Sequence, residues 1–341
     1  MRPERDIGAP ARHMFRAMAE LILTNGDSAA ELLRQAGRVA TILPWRDVLH
    51  EGPIVAGSLE ACSAERVAYL ARRFRIGADD IAAEFAERDA FMRAHADFEA
   101  IELWFEHDLF DQLQLIQILA FFAEINRTVG VTLVQASDFL GAQRPDTILR
   151  FAGEARAVTE ADLDLARTVW AELAAPTPER IAARLDLLDA RLPFLKPSLH
   201  RFLEELPAPG TGISRTEQAI LTGISAGTTA PVRLFHEVLL LEEAAFMGDW
   251  SFFRILDDLA SCDVPLIAGL APAEAGAADT ERFEDAELAL TMAGEDVLAG
   301  EDDHVALSGL DRWWAGTRLM GRCVWRYDRA AGKLVAPGAR P

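Results

Sequence analysis

Ile101-Glu102-Leu103-Trp104-Phe105-Glu106-His107-Asp108 changes character within one residue. The first five positions read as a strand, and the last three are all ionisable. From Leu109 to Glu124 the pattern turns helical and is apolar almost all round, which marks a buried helix. A strand that stops on charge and hands over to a buried helix is the repeating unit of an α/β sheet.

The same handover recurs upstream. Leu21-Ile22-Leu23-Thr24 stops at Asn25-Gly26-Asp27-Ser28, and a helical stripe of Ala30, Leu33 and Ala36 follows, closed by Gly37. Val39 to Leu43 is a second apolar run, leading into the loop Pro44-Trp45-Arg46-Asp47-Val48-Leu49-His50-Glu51-Gly52-Pro53. Amphipathic helices from about Glu60 to Phe74 and Asp79 to His95 fill the gap to Ile101, and Val131 to Gln135 is a fourth strand. Residues 18–145 are therefore expected to form a Rossmann-like domain, with a mainly parallel sheet covered by helices on both faces. Residues 1–17 read as a disordered leader, with Met14 or Met18 as alternative starts.

Residues 146–209 read as a helical connector, opened by Thr159-x-x-Asp162, Thr177-Pro178-Glu179 and Pro193. Pro207 to Gly212 is a turn-rich joint. Beyond it, residues 210–341 show helices at Ser214–Ile224, Val232–Glu243 and Trp250–Ala260. Pro265–Ala268 and Leu288–Gly294 then pair as a hairpin. Three helices followed by a hairpin predict a winged-helix-like domain, its core sealed by strands bearing Trp313, Trp314 and Trp325.

Composition narrows the function. The 341 residues carry 34 Lys+Arg against 54 Asp+Glu, a net charge of −20. Residues 1–209 hold 33 acids and 23 bases and residues 210–341 hold 21 and 11, so both halves are about equally negative. In the recognition position of the winged helix, Gly248 to Asp258 offers one Arg among three Asp, a poor face for phosphates or guanine. That argues against direct DNA binding and for a protein partner through the C-terminal domain. Arg312, Arg318, Arg322 and Arg326 either form a basic patch or answer surrounding acids. Cys62, Cys262 and Cys323 are widely spaced, which fits a reducing cytoplasm and excludes a disulfide framework. No run approaches ~18 apolar residues, so no membrane span is expected.

Three segments gather the side chains that do chemistry, and all follow predicted strand ends. Asn25, Gly26, Asp27 and Ser28 open a helix whose free N–H groups suit a small anionic ligand, although Ser28-x-x-Glu31 also reads as a capping box. Gly26-Asp27-Ser28 resembles the nucleophile block of SGNH-type serine esterases, but the late Asp-x-x-His those enzymes need is missing; Glu301-x-x-His304 is the nearest match. In the second segment Trp45 is placed to stack a planar ligand, with Asp47 and Glu51 as acceptors; the bland alternative makes Trp45 a core plug. In the third, His107 beside Asp108 and Asp111 suits a general base, and Gln112 with the other buried glutamines needs partners. Catalytic roles are assigned to His107, Asp108 and Asp47. Ligand contacts are assigned to Asn25, Gly26, Asp27, Ser28, Trp45, Glu51, Asp111 and Gln112. The spacing matches no standard metal motif, so no metal ligand or cofactor is assigned.

In an open parallel sheet, ligands bind beyond the carboxyl ends of the strands. The expected function is binding or hydrolysis of a small phosphorylated or nucleotide-like molecule in that crevice. The competing expectation is a regulatory adaptor that uses its acidic winged helix for protein contacts.

Leu23 to Ser28, Trp45 to Pro53 and Leu103-Trp-Phe-Glu-His-Asp-Leu-Phe-Asp-Gln-Leu-Gln114 closely resemble the bacterial domain of unknown function numbered 1835. The likeness covers roughly residues 18 to 140. Phe246-Met-Gly-Asp249 and Asp311-Arg-Trp-Trp314 look like the C-terminal half that accompanies that domain in longer members. The resemblance implies a bacterial origin and this architecture, and it lends no activity.

Overall fold

Alternation along the strands sorts one sheet into two faces. The computed structural model describes residues 20–272 and 280–339; the expected leader at residues 1–17 lies outside them. The first unit runs β1 (Glu20–Thr24), α1 (Asp27–Gln35), β2 (Thr41–Pro44), α2 (Leu59–Phe74), α3 (Ala78–Arg93), β3 (Ala100–Phe105), α4 (Leu109–Glu124), β4 (Val131–Gln135) and β5 (Arg156–Ala157). Ile22, Trp104 and Val134 face one way, onto Ala29, Ala30 and Leu33 of α1. Leu21, Leu23, Leu103 and Leu133 face the other way, onto α4.

The strand order is β2-β1-β3-β4-β5. The first four are parallel, with Leu23 opposite both Leu43 and Leu103, while β5 runs antiparallel beside β4. The chain thus leaves β1 first to one side and then to the other, so the order reverses between β1 and β3. This is the switch point of a doubly wound sheet. β5 lies inside the expected helical connector at residues 146–209, so the sheet takes up a short strand beyond residue 145.

The buried helix is α4, which packs between the sheet and α5 (Glu160–Leu173) and α7 (Leu195–Leu203); α6 (Glu179–Arg184) joins these two. Each of its fully buried Leu and Ile side chains contributes about 1.5–3 kcal/mol. Three buried glutamines on so apolar a helix would each cost about 1–3 kcal/mol if unpaired. Each finds one interior partner, while Gln114 Oε1 and Gln117 Nε2 stay unpaired among the described residues. Gln112 Nε2 donates to the Glu106 carbonyl (2.6 Å), Gln114 Nε2 to the Asp47 carbonyl (2.8 Å), and Gln117 Oε1 accepts from Trp45 Nε1 (3.0 Å).

The C-terminal half runs α8 (Arg215–Ser225), α9 (Pro231–Leu239), α10 (Asp249–Ser261), β6 (Ile267–Ala268), α11 (Thr280–Glu284), β7 (Ala289–Leu290), α12 (Met292–Ala299) and α13 (His304–Ser308). It ends in the hairpins β8 (Leu310–Trp314)–β9 (Thr317–Gly321) and β10 (Arg326–Asp328)–β11 (Lys333–Val335). β6 and β7 pair antiparallel, but the expected strand Leu288–Gly294 is cut short. Thr291 accepts a hydrogen bond from the Gly294 amide and so starts α12. The half is also not one body. Residues from Ile213 to Val297 form their own core, whereas Trp314, Leu319 and Tyr327 join the core of the α/β half. Trp314 stacks on Phe202 with ring centroids 4.5 Å apart and donates to its carbonyl.

Candidate functional site

The chain bends differently after each strand, and that decides which acids reach the switch point. After β3, Asp108 leaves the strand in extended conformation and caps α4: its Oδ1 accepts from the Asp111 amide (3.2 Å). Asp111, one turn into the helix, reaches back. Its Oδ1 accepts from the Glu106 amide (2.6 Å), and its Oδ2 accepts from Asn25 Nδ2 (2.9 Å), at the end of β1. Glu106 Oε1 accepts from the amides of Leu140 and Gly141 in the turn after β4. Three carboxylates from one six-residue stretch thus meet between β1 and β3, with one oxygen of each within 4.8 Å of the others.

All three are buried, and among the described residues none forms an ion pair with Arg, Lys or His. Burial raises the pKa of Glu106 against the pull of the Leu140 amide, and Asp138 adds repulsion. Burial and the Glu106 charge push Asp108 up to about 7. Asp111, buried and facing both neighbours, is held well above the usual carboxylate range.

These carboxylates floor a cleft of about 720 Å³. Phe110 and Phe139 line one side, Val48, Phe74 and Ile76 another, and the C-terminal segment Phe246-Met247-Gly248-Asp249-Trp250-Ser251 closes it. That segment is anchored. Arg201 on α7 makes a two-pronged pair with Glu242 and lies over the Phe246 ring at 5.0 Å, while Ser251 donates to Glu51 at 2.6 Å. His50 lines the same cleft, edge-on to Phe246 at 5.1 Å and to Phe110 at 6.0 Å. It is 8% exposed, neither ring nitrogen has a hydrogen-bond partner, and burial lowers its pKa to about 4. His50 also borders an inner cavity of about 380 Å³ beneath the C-terminal half.

A second recess of about 480 Å³ shares Asn25, Val48, Glu106, Phe110 and Phe139 with the cleft and extends to Gly26, Asp27, Ser28 and Arg46. The expected capping box at Ser28 is absent, because α1 begins two residues earlier, at Asp27, with Gly26 as its N-cap and no side-chain cap. Asp27 is exposed and held by Arg46 at 2.6 and 2.9 Å; that bond sets its pKa below the usual carboxylate range.

The other expected residues lie elsewhere. Trp45 is fully buried, bonded to Gln117 and covered by the Arg88 guanidinium at 4.3 Å, so it is a core plug and not a stacking platform. Asp47 is equally buried: its carboxylate pairs with Arg66 Nε at 2.9 Å, and Arg88 lies 3.8 Å away. Neither lines the cleft. Gly52 shows why this loop packs so tightly: its φ is +78°, and a Cβ there would collide with Tyr69 and Arg66. Glu51 spans the two halves through Tyr69, Arg73 and Ser251. Burial opposes its ionisation, but Arg73, His50 and Ser251 outweigh burial and lower its pKa. His107 turns away from its acidic neighbours, between Phe139 (5.0 Å) and Phe194 (5.9 Å), and burial lowers its pKa. Gln112 binds backbone, not cleft. Asn25, Asp108 and Asp111 converge as expected.

Glu106 and His50 were not assigned, although both stand in the quoted motifs. Among the described residues Glu106 has no cationic partner and His50 no hydrogen-bond partner, signals that only the folded chain reveals. The nearest sequence match to a serine-esterase pair fails too, since His304 is buried in the C-terminal half beside Glu217. The tail arginines answer acids: Arg312 with Glu217, Arg318 with Asp311 and Arg326 with Asp303, while Arg322 bonds the Leu307 carbonyl. No helix among the described residues is long and apolar enough to cross a membrane. Compared with protein-family models and with curated proteins, the chain matches none.

Proposed function

We propose that the protein binds a small phosphorylated or nucleotide-like ligand in the cleft at the switch point, with Asp108 among the acids that line it. The observation that carries this reading is the meeting of three buried, cation-free carboxylates with an apolar cleft at the carboxyl ends of β1 and β3. Its volume of about 720 Å³ suits a small molecule, and Phe110, Phe246 and Trp250 suit a planar body. The adjoining recess ends on the uncapped N–H groups of α1, which suit the phosphorylated end. Kinship with the domain of unknown function numbered 1835 is proposed on the same stretches, since Asn25, Glu106, Asp108 and Asp111 all belong to its motifs.

Thermal-shift and calorimetric titration with nucleotides and sugar phosphates tests the reading. Binding is expected, and Trp250→Ala weakens it by about tenfold while leaving the fold intact. No binding at millimolar ligand, or binding indifferent to both Trp250→Ala and Asp108→Asn, overturns it.

A second reading, the protein-binding adaptor, is favoured by Leu240 and Leu241, exposed by 84% and 62% at the end of α9. Three helices followed by the β6–β7 pair support a winged-helix-like C-terminal half. In its recognition position α10 spends Asp258 on Arg73 of α2 and Asp257 on Arg254 and Arg282, which supports protein contact over duplex contact.

A further inference from the structure

We infer that Glu106, Asp108 and Asp111 hold a divalent cation of the magnesium or manganese class at the floor of the cleft. The inference rests on the proposed reading of the cleft and deepens it, because such an ion is what would carry a phosphorylated ligand into an acidic site. The donors are all carboxylate oxygens, which select hard cations over zinc or copper. An ion about 2.1–2.4 Å from each oxygen needs them roughly 3–4.8 Å apart, and they lie within 4.8 Å of one another.

The carboxylates are also oriented as ligands should be. The Asn25 amide fixes Asp111 from the side, and the Leu140 and Asp111 amides fix Glu106 and Asp108. Such outer contacts normally aim a metal's ligands. Other described buried acids are paired with arginine, as Asp47 is with Arg66 and Asp162 with Arg156; among the described residues the cluster at the switch point has no arginine, lysine or histidine partner. His50 is an independent sign of a missing partner. It lines the same cleft, is more than nine-tenths buried, and has no hydrogen-bond partner at either nitrogen.

Manganese alone, titrated into the full-length metal-stripped protein and followed by the paramagnetic resonance of the free ion, tests this. One saturable site is expected. Asp108→Asn and Glu106→Gln each weaken it by more than about tenfold. Asp146→Asn, at an exposed acid paired only with Arg144, leaves it unchanged. Thermal melts establish that both cluster variants fold, and either one suffices. Weak, unsaturable binding, or a site that survives both cluster variants, overturns the inference. Nucleotide titrations with chelator and with manganese separate this from the cleft reading. Ligand binding without any manganese site sinks the ion alone, and a manganese site without ligand binding sinks the ligand alone.

Discussion

Two acid-rich loops follow neighbouring strands of one sheet, and they have opposite electrostatics. After β2, Asp47 and Glu51 are met by Arg66 and Arg73, and Arg88 approaches Asp47. After β3, Glu106, Asp108 and Asp111 are buried and, among the described residues, accept hydrogen bonds only from backbone amides and one asparagine. The first loop is neutralised by its own chain, so its charges serve packing. The second leaves negative charge where the strand order reverses and a cleft opens. Residue type cannot distinguish the two; the source of the countercharge does.

The largest effect should come from removing a partner in the first loop. Asp47→Asn leaves Arg66 buried and uncompensated, and is expected to destabilise by about 3–5 kcal/mol in denaturant unfolding. A loss under about 1 kcal/mol would mean that this loop is not held by its ion pair.

His50 belongs to the first loop by sequence and to the cleft by position, so it sharpens the comparison. Its folded pKa of about 4 lies below the ordinary imidazole value of 6.5, and the unfolded chain therefore binds the extra proton between those pH values. Stability should fall as pH drops from about 6.5 towards 4, by up to about 3 kcal/mol from this group. His50→Phe should blunt that loss in melts recorded at pH 4.5 and 7. An unchanged acid limb would show that His50 is not the group responsible.

The smallest effect belongs to the exposed pair of Asp27 and Arg46, whose side chains are largely in water. Asp27→Ala should cost only about 0.2–1 kcal/mol and less still in high salt. A larger loss would tie the α1 terminus to the neutralised class.

Much of the fold was legible in the sequence, because the continuous apolar run at Leu21–Thr24 and the all-round apolar helix from Leu109 are each decided locally. Capping was legible where the side chain itself makes the bond, as at Thr159. It failed at Ser28, where Gly26 starts the helix first. The site was legible by position but not by membership. Trp45, Asp47 and His107 follow strand ends as Asp108 does, yet Gln117, Arg66 and Phe139 come from distant stretches to claim them. Glu106 was passed over for the converse reason, since its neighbours Leu140 and Gly141 arrive only with the turn after β4.

The most direct test of the contrast is a pair of melts in metal-free buffer at pH 8. The Asp108 carboxyl, raised to about 7, is harder to ionise in the folded than in the unfolded chain, so its contribution to stability declines as pH rises from about 4 to 7. Asp108→Asn keeps the cap and removes the charge, so it should stabilise the protein by about 1–3 kcal/mol at pH 8 and by much less at pH 5. Asp47→Asn should destabilise at both. Opposite signs at pH 8 would establish that one loop is neutralised and the other held open. Destabilisation by both variants would contradict the account.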